Sequence, residues 1–102
     1  MTLEDTFRYL VGAYYGVAEM DNYNLKEYVL EDIKEYITDF VNQNPIKNFD
    51  YYEEAENVLN TVSLKVKLQD SLLVLPKVNA SLELVLLVKE KLRLIREEEL
   101  EN

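Results

Sequence analysis

Residues 61–76 read TVSLKVKLQDSLLVLP, and the reading of this stretch decides the fold class. Thr61 to Leu68 alternate strictly between polar and apolar residues, which is the period of a half-buried strand. SLLVL at 71–75 would then be its hairpin partner across Gln69-Asp70. The same residues also continue a helical pattern that begins upstream. Ala55, Val58, Leu59, Val62 and Val66 recur at helical spacing from a start near Tyr51, where Asp50 and Glu53 give a capping signature. Because the helical pattern starts earlier and runs through, we read a helix, ended by Pro76. The alternative is an α+β fold with a hairpin at 61–75.

Outward from this stretch the chain reads as helix on both sides. A first segment from about Leu3 to Met20 has Thr2 as N-cap and Asp5 at the capping-box position. Leu3, Phe7, Leu10, Val11, Tyr14 and Ala18 form its apolar face, and Asp21-Asn22 is the stop signal. A second segment runs from about Asn24 to Asn42, with Asn24 and Glu27 as a capping box. Leu25, Tyr28, Val29, Ile33, Tyr36, Ile37 and Phe40 make its apolar stripe. Pro45 then forbids helix across the linker NQNPIKNFD. A last segment runs from about Ala80 to Glu98, capped by Asn79 or Ser81. Its LELVLLV (82–88) is apolar almost all round, the mark of a central, buried helix.

The expected architecture is all-α. It comprises a single domain over 1–102, with a helical hairpin at 2–43, a Pro-containing linker at 44–49 and a second hairpin at 50–102, packed as four helices. EDTFRYL (4–10) aligns with EEAENVL (53–59), and VLEDIKEYITDF (29–40) with LVLLVKEKLRLI (84–95), so the two hairpins read as an internal duplication.

Composition removes most function classes. There is no cysteine and no histidine, hence no thiol or imidazole chemistry and no zinc site with nitrogen or sulfur ligands. Two glycines, both within one helical segment, leave no Gly-rich phosphate loop. The net charge of −9 has the wrong sign for a nucleic-acid binder. No apolar run reaches the ~18 residues of a membrane span, and acidic rather than basic residues (Glu4, Asp5) precede the first apolar stretch, unlike a secretory signal. The expectation is a cytoplasmic protein that is not an enzyme, with no cofactor, no metal, no nucleic acid and no membrane among its ligands. An enzyme using carboxylates alone is the remote remaining case.

Three features bear on binding. Glu27, Glu31, Glu35 and Asp39 recur every four residues and form one acidic strip, either a solvated face or a docking strip for a basic partner. All eight tyrosines and three phenylalanines lie between Phe7 and Tyr52. Tyr9, Tyr15, Tyr23, Tyr51 and Tyr52 fall off the core stripes, as tyrosines at binding surfaces do. Finally, GAYYG (12–16) holds both glycines. On a helical wheel Gly12 and Gly16 lie opposite the apolar face, a trough bare of side chains and flanked by Tyr9 and Tyr15. Another helix of the chain, a second copy or a foreign peptide would have to lie in it.

Abundant tyrosine, a Leu/Val/Ile/Glu/Lys bulk, the lack of Cys and His, and a length near one hundred residues together resemble the small proteins of filamentous viruses of hyperthermophilic archaea. The resemblance implies a single-domain protein of unknown activity in the host cytoplasm. It carries no functional residue over.

The functional expectation is a protein–protein or peptide-binding module, with a homodimer as one form of it. Its site would be a groove between the hairpins formed by Tyr9, Gly12, Tyr15, Gly16, Tyr51 and Tyr52. The alternative is an acidic mimic of nucleic acid that inhibits a basic host protein through Glu27, Glu31, Glu35 and Asp39.

Overall fold

The TVSLKVKLQDSLLVLP stretch is helical. In a computed structural model, which describes residues 1–101, the element order is α1 (Leu3–Ala18), α2 (Tyr23–Gln43), α3 (Tyr51–Thr61), α4 (Leu64–Val74), a 3₁₀ turn (Leu75–Val78) and α5 (Leu82–Glu101). No strand occurs among the described residues. The fold is all-α, with five α-helices where four were expected. The extra one arises because the segment from Tyr51 onward is two helices. Val62 is extended (ψ 131°), and Ser63 starts a new helix by accepting a hydrogen bond from the Val66 amide at 3.3 Å.

The reason for the alternating pattern is now visible. The inward face of α4 is Lys67, Leu68, Ser71 and Val74, at helical spacing, and Leu75 continues it. Two of these five are polar, while the apolar Val66 and Leu73 point outward. The helix buries a face that hydropathy does not mark, so its apolar residues fall by chance into a strand-like rhythm.

That face is polar because of what it meets. α4 crosses α1 at Gly12 and Gly16. A Cβ on Gly16 would stand 2.5 Å from the Lys67 carbonyl oxygen and 2.8 Å from its carbonyl carbon. The two backbones therefore touch where the side chain is missing, the soluble counterpart of small-residue helix pairing. The Ser71 hydroxyl lies against the Ala13 carbonyl at 3.1 Å and the Lys67 carbonyl at 2.9 Å, and its proton serves these two acceptors. The trough of α1 is thus filled from within the chain, and Gly12 and Gly16 are buried. They are packing residues and are not offered to a partner.

α1 is consequently the central helix. It packs on α2, α3 and α4 and buries Phe7, Leu10, Val11, Ala13 and Val17 along with both glycines. The expected central helix, LELVLLV, instead lies at the edge. α5 buries Leu84, Val88 and Leu92 against α4 but exposes Leu82 and Leu86. Two further expectations are corrected. The cap of α2 is Asn22, which accepts from the Leu25 amide at 3.3 Å, and Asn24 is the second residue of the helix. Tyr28, placed on the core stripe, is 78% exposed; the packed face of α2 is Leu25, Val29, Leu30, Ile33, Tyr36, Ile37 and Phe40, and Tyr28 lies beyond its edge. Thr2, Asp50 and Ser81 cap as expected, accepting from the amides of Asp5, Glu53 and Leu84.

With both glycines committed to the crossing, none is left to close a helix C-terminus in the usual left-handed glycine cap. Asn48 (φ 58°) and Asn79 (φ 53°) take the left-handed positions in the turns. Lysines from neighbouring helices take the orphan carbonyls. Lys26 of α2 donates to Ala18 O at 2.9 Å and Met20 O at 2.5 Å. Lys91 of α5 donates to Glu19 O at 3.0 Å, so α1 is closed by two other helices. Lys67 of α4 donates to Leu59 O at 2.8 Å and closes α3.

Asp70 projects over Gly12, its Oδ2 lying 2.5 Å from where a Cβ would stand. Burial pushes its carboxyl up from 3.8 to about 6. A raised folded pKa means that the folded chain holds the proton more tightly, so stability falls as pH rises between those values and is level above them. Replacing Asp70 with Asn, which cannot ionise, is expected to stabilise the fold at pH 7 by ~1 kcal/mol, after discounting for the half-exposed position. The gain should vanish at pH 4. Urea melts at the two pH values check this, and a gain equal at both would sink the account.

Candidate functional site

The face of α1 away from α4 builds the site. Phe7, Val11, Tyr14 and Tyr15 follow one another along that face, and each has a reason to stay in place. The Phe7 ring meets Phe49 and Tyr51 edge-to-face, with centroids 5.6 and 5.1 Å apart. Phe49 and Tyr51 meet each other in the same way at 5.1 Å. Each such pair adds ~0.5–1.5 kcal/mol beyond its buried area. The Tyr51 hydroxyl accepts a hydrogen bond from the Ile46 amide at 3.1 Å, which ties the Pro45 linker to the same cluster. Val58 completes this second core beneath α3.

Between α1, α2 and α3 these residues leave an open groove of about 330 Å³. One wall is Phe7, Val11, Tyr14 and Tyr15 of α1. The second is Lys34, Ile37 and Thr38 of α2, and the third is Tyr51, Tyr52 and Ala55 of α3. Tyr52 stands at the mouth, 90% exposed. Tyr14 and Tyr15 cross edge-to-face at 5.7 Å. Burial pushes the Tyr15 phenol up, and Tyr14 and Glu56 act in the same direction. At neutral pH its hydroxyl is therefore a neutral donor and acceptor.

No family model, curated protein or solved structure matches this chain.

The site therefore rests on geometry alone. Of the six residues expected to form a groove, the structure brings together Tyr15, Tyr51 and Tyr52. It does not bring Tyr9, which packs against the other core cluster and accepts a hydrogen bond from Lys77 at 3.2 Å. Gly12 and Gly16 lie beneath α4. The expected trough and the observed groove are on different sides of α1. The acidic strip is where the periodicity puts it: Glu27, Glu31, Glu35 and Asp39 are all exposed on the outside of α2. Sequence reasoning missed Lys34, Ile37, Thr38 and Ala55 as groove walls, and took Phe7, Val11 and Tyr14 as plain core. The available signal was the wedge of Tyr14 beside Tyr15. Two adjacent rings on a helix point ~100° apart, so they cannot both enter one seam.

The groove holds aliphatic and aromatic surface, four phenol hydroxyls, one threonine and one ammonium. No cluster of carboxylates suited to a metal ion occurs among the described residues. What it can do is take up apolar side chains while its hydroxyls pair with polar groups at the edge.

Arg8 links two of the helices that wall the groove. Its Nε donates to Glu54 at 2.9 Å and its Nη1 to Asp5 at 3.0 Å. The Glu54 pair joins α1 to α3 in a partly exposed setting, so Glu54→Gln is expected to cost no more than ~1 kcal/mol. A thermal melt in low and high salt checks that the loss shrinks with salt.

Proposed function

We propose that this chain is a non-enzymatic protein- or peptide-binding module and that the groove between α1, α2 and α3 is its site. The observation that carries this is Tyr52. A tyrosine 90% exposed at the mouth of a groove floored by interlocked rings is a large, rigid contact surface with little entropy left to lose. Such rings are enriched where proteins bind proteins. No helix among the described residues is long and apolar enough to cross a membrane. The compositional resemblance to small proteins of archaeal filamentous viruses would place the module in a host cytoplasm, facing a host or viral protein.

The second reading, an acidic mimic of nucleic acid, is favoured by the exposed row Glu27, Glu31, Glu35 and Asp39. The two readings separate by mutation and by salt. Capture of partner proteins from cell extract by the groove should fail with Tyr52→Ala and be weakened but not lost in ~1 M salt, where charge–charge attraction is screened within ~3 Å while apolar contact remains. Capture by the strip should survive Tyr52→Ala and be lost in high salt. Because Tyr52 packs on little, Tyr52→Ala is expected to leave the melting temperature within ~2 °C of the parent, so that loss of capture is not loss of fold.

A further inference from the structure

The surroundings of the groove specify its ligand further. We propose that the occupant is a basic amphipathic helix, apolar along one side and flanked by Lys or Arg; this rests on the groove being the binding site. The first argument is length. The α1 wall runs from Phe7 to Tyr15, which at 1.5 Å per residue is about 12 Å, or two helical turns. That span matches apolar anchors at i, i+4 and i+7 of a docked helix, and exceeds what a single side chain needs.

The second argument is charge. Thr38 and Lys34 form the α2 lip. At ~100° and ~1.5 Å per residue, Glu31 and Glu27 lie on the same side of α2 as Thr38, about two and three turns before it, and Glu35 lies nearer along the axis but further round. On the α3 lip Glu56 lies near enough to Tyr15 to act on its phenol. All four carboxylates are exposed, and none is in an ion pair among the described residues. Lys34 is the single cation of the lining. An apolar floor between acidic lips is complementary to an apolar stripe between basic residues. The same argument disfavours a second copy, which would bring another net charge of −9 to the acidic rim.

The test uses the full chain and model peptides. The chain has no tryptophan, so Tyr52→Trp places one fluorophore at the groove mouth, and calorimetry on the unaltered chain gives a second readout. Three peptides of about 15 residues, near the shortest length for a helix in water, are compared. They are Leu/Lys with leucines on one face, Leu/Glu with the same pattern, and Leu/Lys with the order scrambled. The expected result is saturable binding of the first with a shift of tryptophan emission, at least about tenfold tighter than either other peptide. Replacing Glu27, Glu31, Glu35 and Glu56 together with Gln should weaken it by about tenfold, with the melting temperature held. Equal binding of the Leu/Glu peptide at the reporter would overturn the basic ligand and leave the groove standing. Equal binding of the scrambled peptide would overturn the helix. Heat of binding with no change at the reporter would remove the groove itself, as would no binding of any peptide. A concentration-dependent dimer that blocks the peptide would give the site to a second copy and overturn the proposal.

Discussion

Gly16→Val is expected to destabilise this fold by about 3 kcal/mol or more, while Gly12→Ala, one turn away, is expected to be neutral or slightly stabilising. The difference lies in what each new side chain strikes. At Gly16 a Cβ would strike the Ser71 hydroxyl oxygen and come within 2.5 Å of the Lys67 carbonyl oxygen. The second is backbone, inside a helix that cannot move without opening the core behind Leu68 and Val74. At Gly12 the only close atom is Asp70 Oδ2, the far end of a side chain that can swing outward, and alanine recovers up to ~1 kcal/mol of helix propensity. For a domain near this size 1 kcal/mol moves the melting temperature by ~4–8 °C, so thermal melts of the two variants should diverge by more than ten degrees. Similar behaviour of the two would mean that α4 does not lie in the trough.

Lys67→Ala is the second large expected loss, ~2–3 kcal/mol. Lys67 is 7% exposed, with its stem buried and its ammonium on the Leu59 carbonyl at 2.8 Å. A hydrogen bond from a charged group is worth ~1.5–3 kcal/mol, and removing the donor leaves a helix-end carbonyl without it. Truncating the stem removes packing besides. Lys67→Met keeps the stem and discards only the donor, so it should lose about half as much. Chemical denaturation of both variants apportions the two effects, and equal losses would show that the carbonyl finds water at no cost.

Helix starts were the most legible part of the fold. Thr2, Asp50 and Ser81 each hold their hydrogen bond in the structure because a cap is a local device, needing only an oxygen and an amide three residues on. Asn24 misled because Asn22 competes for the same role two residues earlier. The 61–76 stretch was legible as helix only through its upstream continuation. Its own pattern pointed to strand, since Lys67 and Ser71 are inward for reasons set by α1, 58 positions away in the case of the Ser71–Ala13 contact. The ranking of helices by burial failed for a related cause. Hydropathy counts leucines in 82–88, but α1 became central through Gly12, Ala13 and Gly16, whose lack of bulk lets α4 approach. The candidate site was half legible. The aromatic half of the chain does supply the groove, and Tyr15, Tyr51 and Tyr52 meet in it. Which side of α1 is open depended on where α4 lies: Gly12 and Gly16 mark the side that is approached, but not whether α4, a second copy or a foreign peptide approaches it.

The crossing of α1 and α4 also sets an order of events in time. All-helical domains fold fast when their contacts join neighbours in the chain. Here the helix that α2, α3 and α4 pack around cannot be covered until residue 74 exists. During synthesis the first 43 residues can form two helices, but the bare side of α1, with Ala13 and Val17, stays open to water until α4 has been made. The chain should therefore fold late and as one unit, more slowly than an up-and-down bundle of its length. A truncated nascent chain ending before Ser63 should be a substrate for chaperones and proteases where the finished protein is not.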